Sequence, residues 1–280
     1  MPLIGAEELL DRIGDARLRV IDVRWYLGEP GRGRAAYDAG HLPGAIHLDL
    51  DADLSAPEGP GRHPLQAPDA FARTMGAAGI GAAHEVVAYD DAGGWVAARL
   101  WWMMDRLGHR RTRLLDGGIQ AWIAAGGTLT QGVPAWPAAR LDVREGWSGT
   151  VDRDGLRGRL GRVILLDARA PARYRGETEP VDPVAGHIPT ALSAPFGENL
   201  GADGRFLAPA ELAARFRAMG AGAGREVVTS CGSGTSACHH SLAMRVAGLP
   251  DPTLYVGSWS DWSRAGYPVA TGPDPGEPPD

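Results

Sequence analysis

The chain is predicted to be an α/β protein made of two tandem domains, each a parallel sheet flanked by helices. Three observations predict this. A length of 280 residues suits two medium domains at roughly 100–200 residues each. Three sequence segments recur in the same order in both halves. Short apolar runs alternate with longer helix-like stretches, as in sheets covered on both faces.

The repeat is visible by inspection. Residues 20–50, VIDVRWYLGEPGRGRAAYDAGHLPGAIHLDL, resemble residues 164–196, ILLDARAPARYRGETEPVDPVAGHIPTALSAPF. Both run apolar strand, Asp, a Tyr-containing stretch, then Gly-His-apolar-Pro. EVVAYDDAGGW from Glu85 lies over EVVTSCGSGTS from Glu226, and LLDGGIQAW from Leu114 over LYVGSWSDW from Leu254. One match could be chance; three collinear matches mean duplication.

In chain order, RVID reads as a strand, EVVAY as a second, AARLWWMMDRLG as a helix and TRLLD as a third strand. The Trp101-Trp102-Met103-Met104 run is read as helix core. Residues 1–132 then form the first domain. Residues 133–149, with Pro, Gly and no periodicity, read as a linker. The second domain, 150–270, carries strands RVILLD, EVVTS and PTLYV and helices AELAARFRAMG and ACHHSLAMRVAG. Residues 271–280, Pro-rich and acidic, read as a flexible tail.

Composition narrows the function. Hydrophobic residues make up 44% and charged residues 22%, enough apolar chain for packed cores. The net charge of −6 argues against nucleic acid as the main partner. No apolar run reaches the ~18 residues of a membrane span, and the first residues show no signal-peptide pattern. There is no lysine: all 28 basic residues are Arg, which excludes Schiff-base chemistry and a P-loop lysine. Two cysteines, Cys231 and Cys238, exclude a disulfide scaffold and a Cys-rich zinc site. His239-His240 has no partner at ligand spacing, so no metal is expected. The expected location is the cytoplasm.

The chemistry points to Cys231. It ends a strand and opens Cys231-Gly232-Ser233-Gly234-Thr235-Ser236 before a helix. Glycines allow a tight loop with N–H groups turned inward. The helix N-terminus favours the thiolate, the nucleophilic form. The same cradle would hold an anion on the sulfur. The other half carries Asp90 at the matching position, and a carboxylate cannot replace a thiolate nucleophile. One site per chain is therefore expected, in the second domain. Cys238 is expected on the following helix, facing the core. His41 and His187 occur in both halves, one of them inactive, and are read as structural turn residues.

These motifs, with Gly40-His41-Leu42-Pro43, Asp116-Gly117-Gly118, Gly186-His187-Ile188-Pro189 and Gly257-Ser258-Trp259, resemble the tandem-domain rhodanese family of sulfurtransferases. The likeness runs from about Leu9 to Val269 and is greatest to the 3-mercaptopyruvate sulfurtransferases. It implies a persulfide carried on Cys231 and no cofactor. It implies that Arg173 binds the donor anion, a contact a guanidinium makes with two parallel bonds. Gly232, Gly234, Thr235 and Ser236 would line the donor site. Ser233, His63 and Asp51 match a Ser-His-Asp arrangement, with Asp49 the rival for Asp51. Placing Asp51 and His63 in the first domain sets the site at the domain boundary. Two departures from the family pattern stand out. The loop continues Thr235-Ser236 where Val-Thr is usual. No arginine lies in Glu179-Pro180-Val181-Asp182-Pro183, where a second donor-binding arginine is common; Arg175 is the nearest substitute.

The expected reaction moves sulfur from 3-mercaptopyruvate to a thiol, such as that of a thioredoxin-like protein, or to cyanide. Thiosulfate is the alternative donor, although typical thiosulfate enzymes carry basic side chains after the cysteine. A non-catalytic sulfur carrier is a remoter alternative. A Cys-loop phosphatase is excluded because Ala237 stands where such a loop needs its phosphate-holding arginine.

Overall fold

The structure, a computed structural model, describes residues 1–143, 146–222 and 224–279. The chain divides into two compact units. The first comprises 1–57, 65–148 and 202–206; the second comprises 58–64, 149–201 and 207–280. The short segment that carries His63 thus belongs to the second unit. Arg144 and Glu145, in the expected linker, and Asp280, in the tail, lie outside the described residues.

The first unit contains β1 (Leu3–Ile4), β2 (Leu18–Asp22), β3 (Ala45–His47), β4 (Glu85–Tyr89) and β5 (Thr112–Leu115), in the order β1-β5-β4-β2-β3. The second contains β6 (Thr150–Val151), β7 (Ile164–Asp167), β8 (Ala191–Ser193), β9 (Val227–Ser230) and β10 (Thr253–Tyr255), in the order β6-β10-β9-β7-β8. Every pairing is parallel. The two orders are the same once five is subtracted from each strand number. This confirms the α/β class and the duplication. The interior strands β2, β7 and β9 are buried along their whole length. That is why they read as continuous apolar runs and not as alternating ones.

Helices join the strands in both units. The first has α1 (Ala6–Leu10), α2 (Arg32–Ala39), α3 (Pro68–Ala77), α4 (Trp95–Arg106) and α5 (Gly118–Ala124). The second has α6 (Arg153–Arg157), α7 (Pro171–Tyr174), α8 (Pro209–Ala218), α9 (Ala237–Val246) and α10 (Ser258–Trp262). Trp101, Trp102, Met103 and Met104 are buried on α4, and Cys238 on α9.

The repeated Asp and His motifs build the same turn twice. Arg24 forks onto Asp22 and its Nη2 donates to the Gly40 carbonyl at 2.8 Å; Arg169 forks onto Asp167 and donates to Gly186 at 2.7 Å. His41 stacks on Tyr37 at 3.7 Å and His187 on Tyr174 at 3.8 Å. Each imidazole has both nitrogens within hydrogen-bond distance of backbone carbonyls, so both rings hold turns in place.

The connecting segment packs on the first unit. Trp136 Nε1 donates to the Gly44 carbonyl, and Arg19 lies 3.9 Å from the Trp136 ring centroid. The tail has contacts as well: the Pro275 carbonyl accepts from Thr190 N–H at 2.6 Å, and the Asp274 carbonyl lies 3.1 Å from His187 Nε2.

Candidate functional site

Cys231 follows β9 directly and its residue is 2% exposed. The Gly234 N–H reaches Cys231 Sγ at 3.1 Å, so the loop curls around the sulfur. Gly234 has φ +79°, and a Cβ there would lie 2.3 Å from the Val256 carbonyl oxygen. Only glycine fits this position.

A second loop braces the first. Ser258 Oγ accepts from the Cys231 N–H at 3.0 Å and donates to the Tyr255 carbonyl at 2.8 Å. The Cys231 and Gly232 carbonyls accept from the N–H groups of Trp259 and Ser260. Ser258 has φ +51°, a left-handed conformation costly for a side chain with a Cβ. Its repeat partner Gly118 also has positive φ, at +59°. The second unit thus places serine where the first has glycine, and uses the hydroxyl to hold the cysteine backbone.

The first unit carries a carboxyl group at the matching position. Asp90 follows β4 and is buried. Its Oδ1 accepts from the N–H groups of Ala92 and Gly94, and its Oδ2 from those of Val96 and Ala97, at 2.7–3.1 Å. Burial raises the Asp90 pKa, against the pull of these four donors. In the first unit, the loop is filled by a carboxyl group built into the chain.

His63 and Ser233 come together: His63 Nδ1 lies 2.7 Å from Ser233 Oγ, both residues being buried. Thr235 Oγ1 is 3.4 Å from the same nitrogen. Ser236 caps the start of α9, its carbonyl accepting from His239 N–H. Asp51 is carried by the first unit, where its Oδ2 accepts from Trp25 Nε1 at 2.8 Å. The rival Asp49 uses Oδ1 to accept the N–H groups of Asp51 and Ala52, a turn-capping role.

Arg173 sits beside the loop. Its Nε and Nη2 grip Glu179 at 3.2 and 2.6 Å, and its Nη1 would lie 3.5 Å from a Cβ on Gly232. Burial would raise Glu179, but Arg173 and the N–H groups of Val181 and Asp182 hold its pKa below the usual value. Glu179 therefore stays ionised and fixes Arg173. Arg175 instead pairs with exposed Glu177.

The sequence did not reveal Arg62. Its backbone N–H donates to Ser260 Oγ at 3.0 Å, and its Nη1 forms an ion pair with buried Asp182. Its Nη2 would lie 3.1 Å from a Cβ on Gly232. Arg62, Glu179, Asp182 and Ser258 all belong to the site's surroundings. Nothing in residue spacing could have placed Arg62 there, because its contacts are far away in the chain.

Two duplicated α/β units, one with a cysteine heading the loop after its central strand and one with aspartate at the same position, define a tandem-domain protein with one cysteine loop. Residues 5–125 and 153–265 each match the rhodanese-like domain, and the chain belongs to the rhodanese family. It is similar to a probable 3-mercaptopyruvate sulfurtransferase from Pseudomonas aeruginosa, 46% identical over 96% of this chain and 98% of that one. It is also similar to a putative thiosulfate sulfurtransferase, SseB, from Mycobacterium tuberculosis, 42% identical over 93% of each. The crystal structure of SseA from Escherichia coli, a 3-mercaptopyruvate sulfotransferase, superposes with a TM-score of 0.80 at 30% identity, covering 93% of this chain and 99% of that one. With these relatives, the chain is a sulfurtransferase. Among the described residues no helix is long and apolar enough to cross a membrane.

Proposed function

We propose that the protein moves sulfur from 3-mercaptopyruvate to a thiol acceptor or cyanide through a persulfide on Cys231. The Cys231 thiolate attacks the donor sulfur. The carbon–sulfur bond breaks, and its electron pair passes into the carbonyl system to give the enolate of pyruvate. Ser233, hydrogen-bonded to His63, donates to that oxygen as charge develops, and protonation at carbon completes pyruvate. Asp51 is included in this arrangement on the family resemblance. An acceptor thiolate, for which a thioredoxin-like protein is our expectation, then attacks the outer sulfur and frees Cys231. Covalent catalysis splits one transfer into two easier steps. We place the enzyme in the cytoplasm; two free cysteines suit a reducing compartment.

The observation that carries this reading is the pair of loops. The Cys231 sulfur already accepts the Gly234 N–H, and the duplicate loop donates four N–H groups to a carboxylate. A persulfide anion is longer than a thiolate and matches such a cradle. Arg173, fixed by Glu179, has Nη1 available for the donor carboxylate, since it donates to no acceptor among the described residues.

A thiosulfate donor is the second reading. Gly232 and Ser233 bring no charge of their own, but the guanidinium groups of Arg62 and Arg173 stand beside Gly232 and supply cationic surroundings. Mass spectrometry after incubation with each donor, together with kcat/KM for both and one common acceptor, tests the two readings. One added sulfur atom on the Cys231 peptide and a higher kcat/KM for 3-mercaptopyruvate are expected. Thiosulfate equal or better would overturn the donor assignment.

A further inference from the structure

The stretch 179–183 holds no arginine, and Asp182 within it is fully buried with no exposed side-chain surface. A buried carboxylate needs a cation. The cations come from other parts of the second unit: Arg62 by a direct ion pair, Arg264 at 3.4 Å and Arg173 at 3.7 Å. Of these, Arg62 reaches the cysteine loop as Arg173 does, and Arg264 is not among the atoms nearest Gly232. The Arg62 side chain is 18% exposed, and its Nη2 would lie 3.1 Å from a Cβ on Gly232, the residue after the nucleophile. Among the described residues Nη2 donates to no acceptor. Nη1 is taken up by Asp182, and Nε is buried with no hydrogen-bond partner among the described residues. The backbone of Arg62 is pinned by Ser260 Oγ, whose own neighbour Trp259 supports Cys231.

From this geometry we propose that Arg62 is the second donor-binding arginine, holding the carboxylate of the donor together with Arg173. Asp182 is its positioning residue. The buried acid holds an arginine from residues 58–64 beside the residue that follows the nucleophile. Two guanidinium groups then bracket Gly232, each fixed by its own buried acid, Arg173 by Glu179 and Arg62 by Asp182. Fixed guanidiniums bind a carboxylate with little ordering cost. The absence of a side chain at Gly232 leaves room for them. This inference rests on 3-mercaptopyruvate as donor.

The test compares wild type, Arg62→Ala, Arg62→Lys and the double variant Arg62→Ala/Asp182→Asn. KM and kcat are measured with 3-mercaptopyruvate, alongside the inhibition constant of pyruvate, which carries the same carboxylate and needs no chemistry. Losing one hydrogen bond to a charged group should raise KM and the pyruvate constant by about 10- to 150-fold in Arg62→Ala, with kcat much less affected. Arg62→Lys should recover part of this. The double variant removes the orphaned acid and guards against misfolding. If Arg62 only neutralises Asp182, the double variant will regain wild-type constants, and the inference falls. If Arg62 holds the donor, both constants stay raised. Unchanged constants in Arg62→Ala also overturn it, while leaving the donor reading intact. A wild type that forms no persulfide with 3-mercaptopyruvate overturns the donor reading, and this inference with it.

Discussion

Replacing Arg173 separates the donor binding proposed for it from its pairing with Glu179. The Glu179 side chain is 3% exposed and takes both prongs of Arg173. Breaking a fully buried pair costs about 3–5 kcal/mol. Here the loss is smaller, because Glu179 keeps the N–H groups of Val181 and Asp182, each at 3.1 Å, and Arg169 Nη1 at 3.5 Å. About 1–3 kcal/mol of destabilisation is expected in Arg173→Ala, the cost of a partly unsatisfied buried group. The donor effect is separate. One charge-assisted contact is worth about 1.5–3 kcal/mol, so kcat/KM for 3-mercaptopyruvate should fall by roughly 10- to 150-fold. Arg173→Lys should restore only part, since an ammonium cannot reproduce the two-pronged grip. The stability loss is controlled by Arg173→Ala/Glu179→Gln, which removes the orphaned charge but not the donor defect. Denaturant unfolding without donor and steady-state kinetics with saturating acceptor give the two readouts. Unchanged kcat/KM in Arg173→Ala would refute the donor-binding role. Full recovery of kcat/KM in the double variant would show that Arg173 acts only through Glu179.

Cys231→Ser should lose essentially all turnover and gain no sulfur on treatment with donor, whereas Cys238→Ser should keep both; intact-mass and peptide mass spectrometry read this directly, and substantial turnover by Cys231→Ser would sink the persulfide mechanism. Ser233→Ala should lower kcat/KM for 3-mercaptopyruvate by about 10²-fold, the usual cost of losing a donor to a developing oxyanion, and lower that for thiosulfate far less; equal losses with both donors would remove Ser233 from the carbonyl step. Ser258→Gly should unfold at higher denaturant than Ser258→Ala, because both lose the hydroxyl under Cys231 but only glycine relieves the φ of +51°, a strain of about 1–2 kcal/mol. Ser258→Ala as stable as Ser258→Gly would show that the left-handed serine is unstrained.

The interior strands and three of the four longest helices, α4, α8 and α9, were legible because they are local patterns, apolar runs or apolar faces at helical spacing; α3, as long as α8 and α9, was not read. The short edge strands β1, β3, β6 and β8, of two or three residues, carry no pattern of their own and exist only by pairing with a neighbour. Cys231 was legible twice over, from its loop and from Asp90 in the duplicate. Ser233 and His63 were legible through resemblance, and their 2.7 Å contact spans residues 170 apart in the chain. Arg62 was not legible. It is one of 28 arginines, and what sets it apart is a buried acid, Asp182, over a hundred residues away. The sequence showed no arginine at 179–183; the pairing of Asp182 with Arg62 is visible only in three dimensions.

The two loops also explain how one half could lose its chemistry and keep its fold. A loop that turns several N–H groups inward must satisfy them, since each one left buried and unpaired costs about 1–3 kcal/mol. In the second unit the sulfur accepts the Gly234 N–H. A first unit that had merely lost its cysteine would leave the same donors facing nothing. Asp90 resolves this by placing two oxygens among four N–H groups. Its carboxylate is a permanent occupant where the catalytic half needs a transient one.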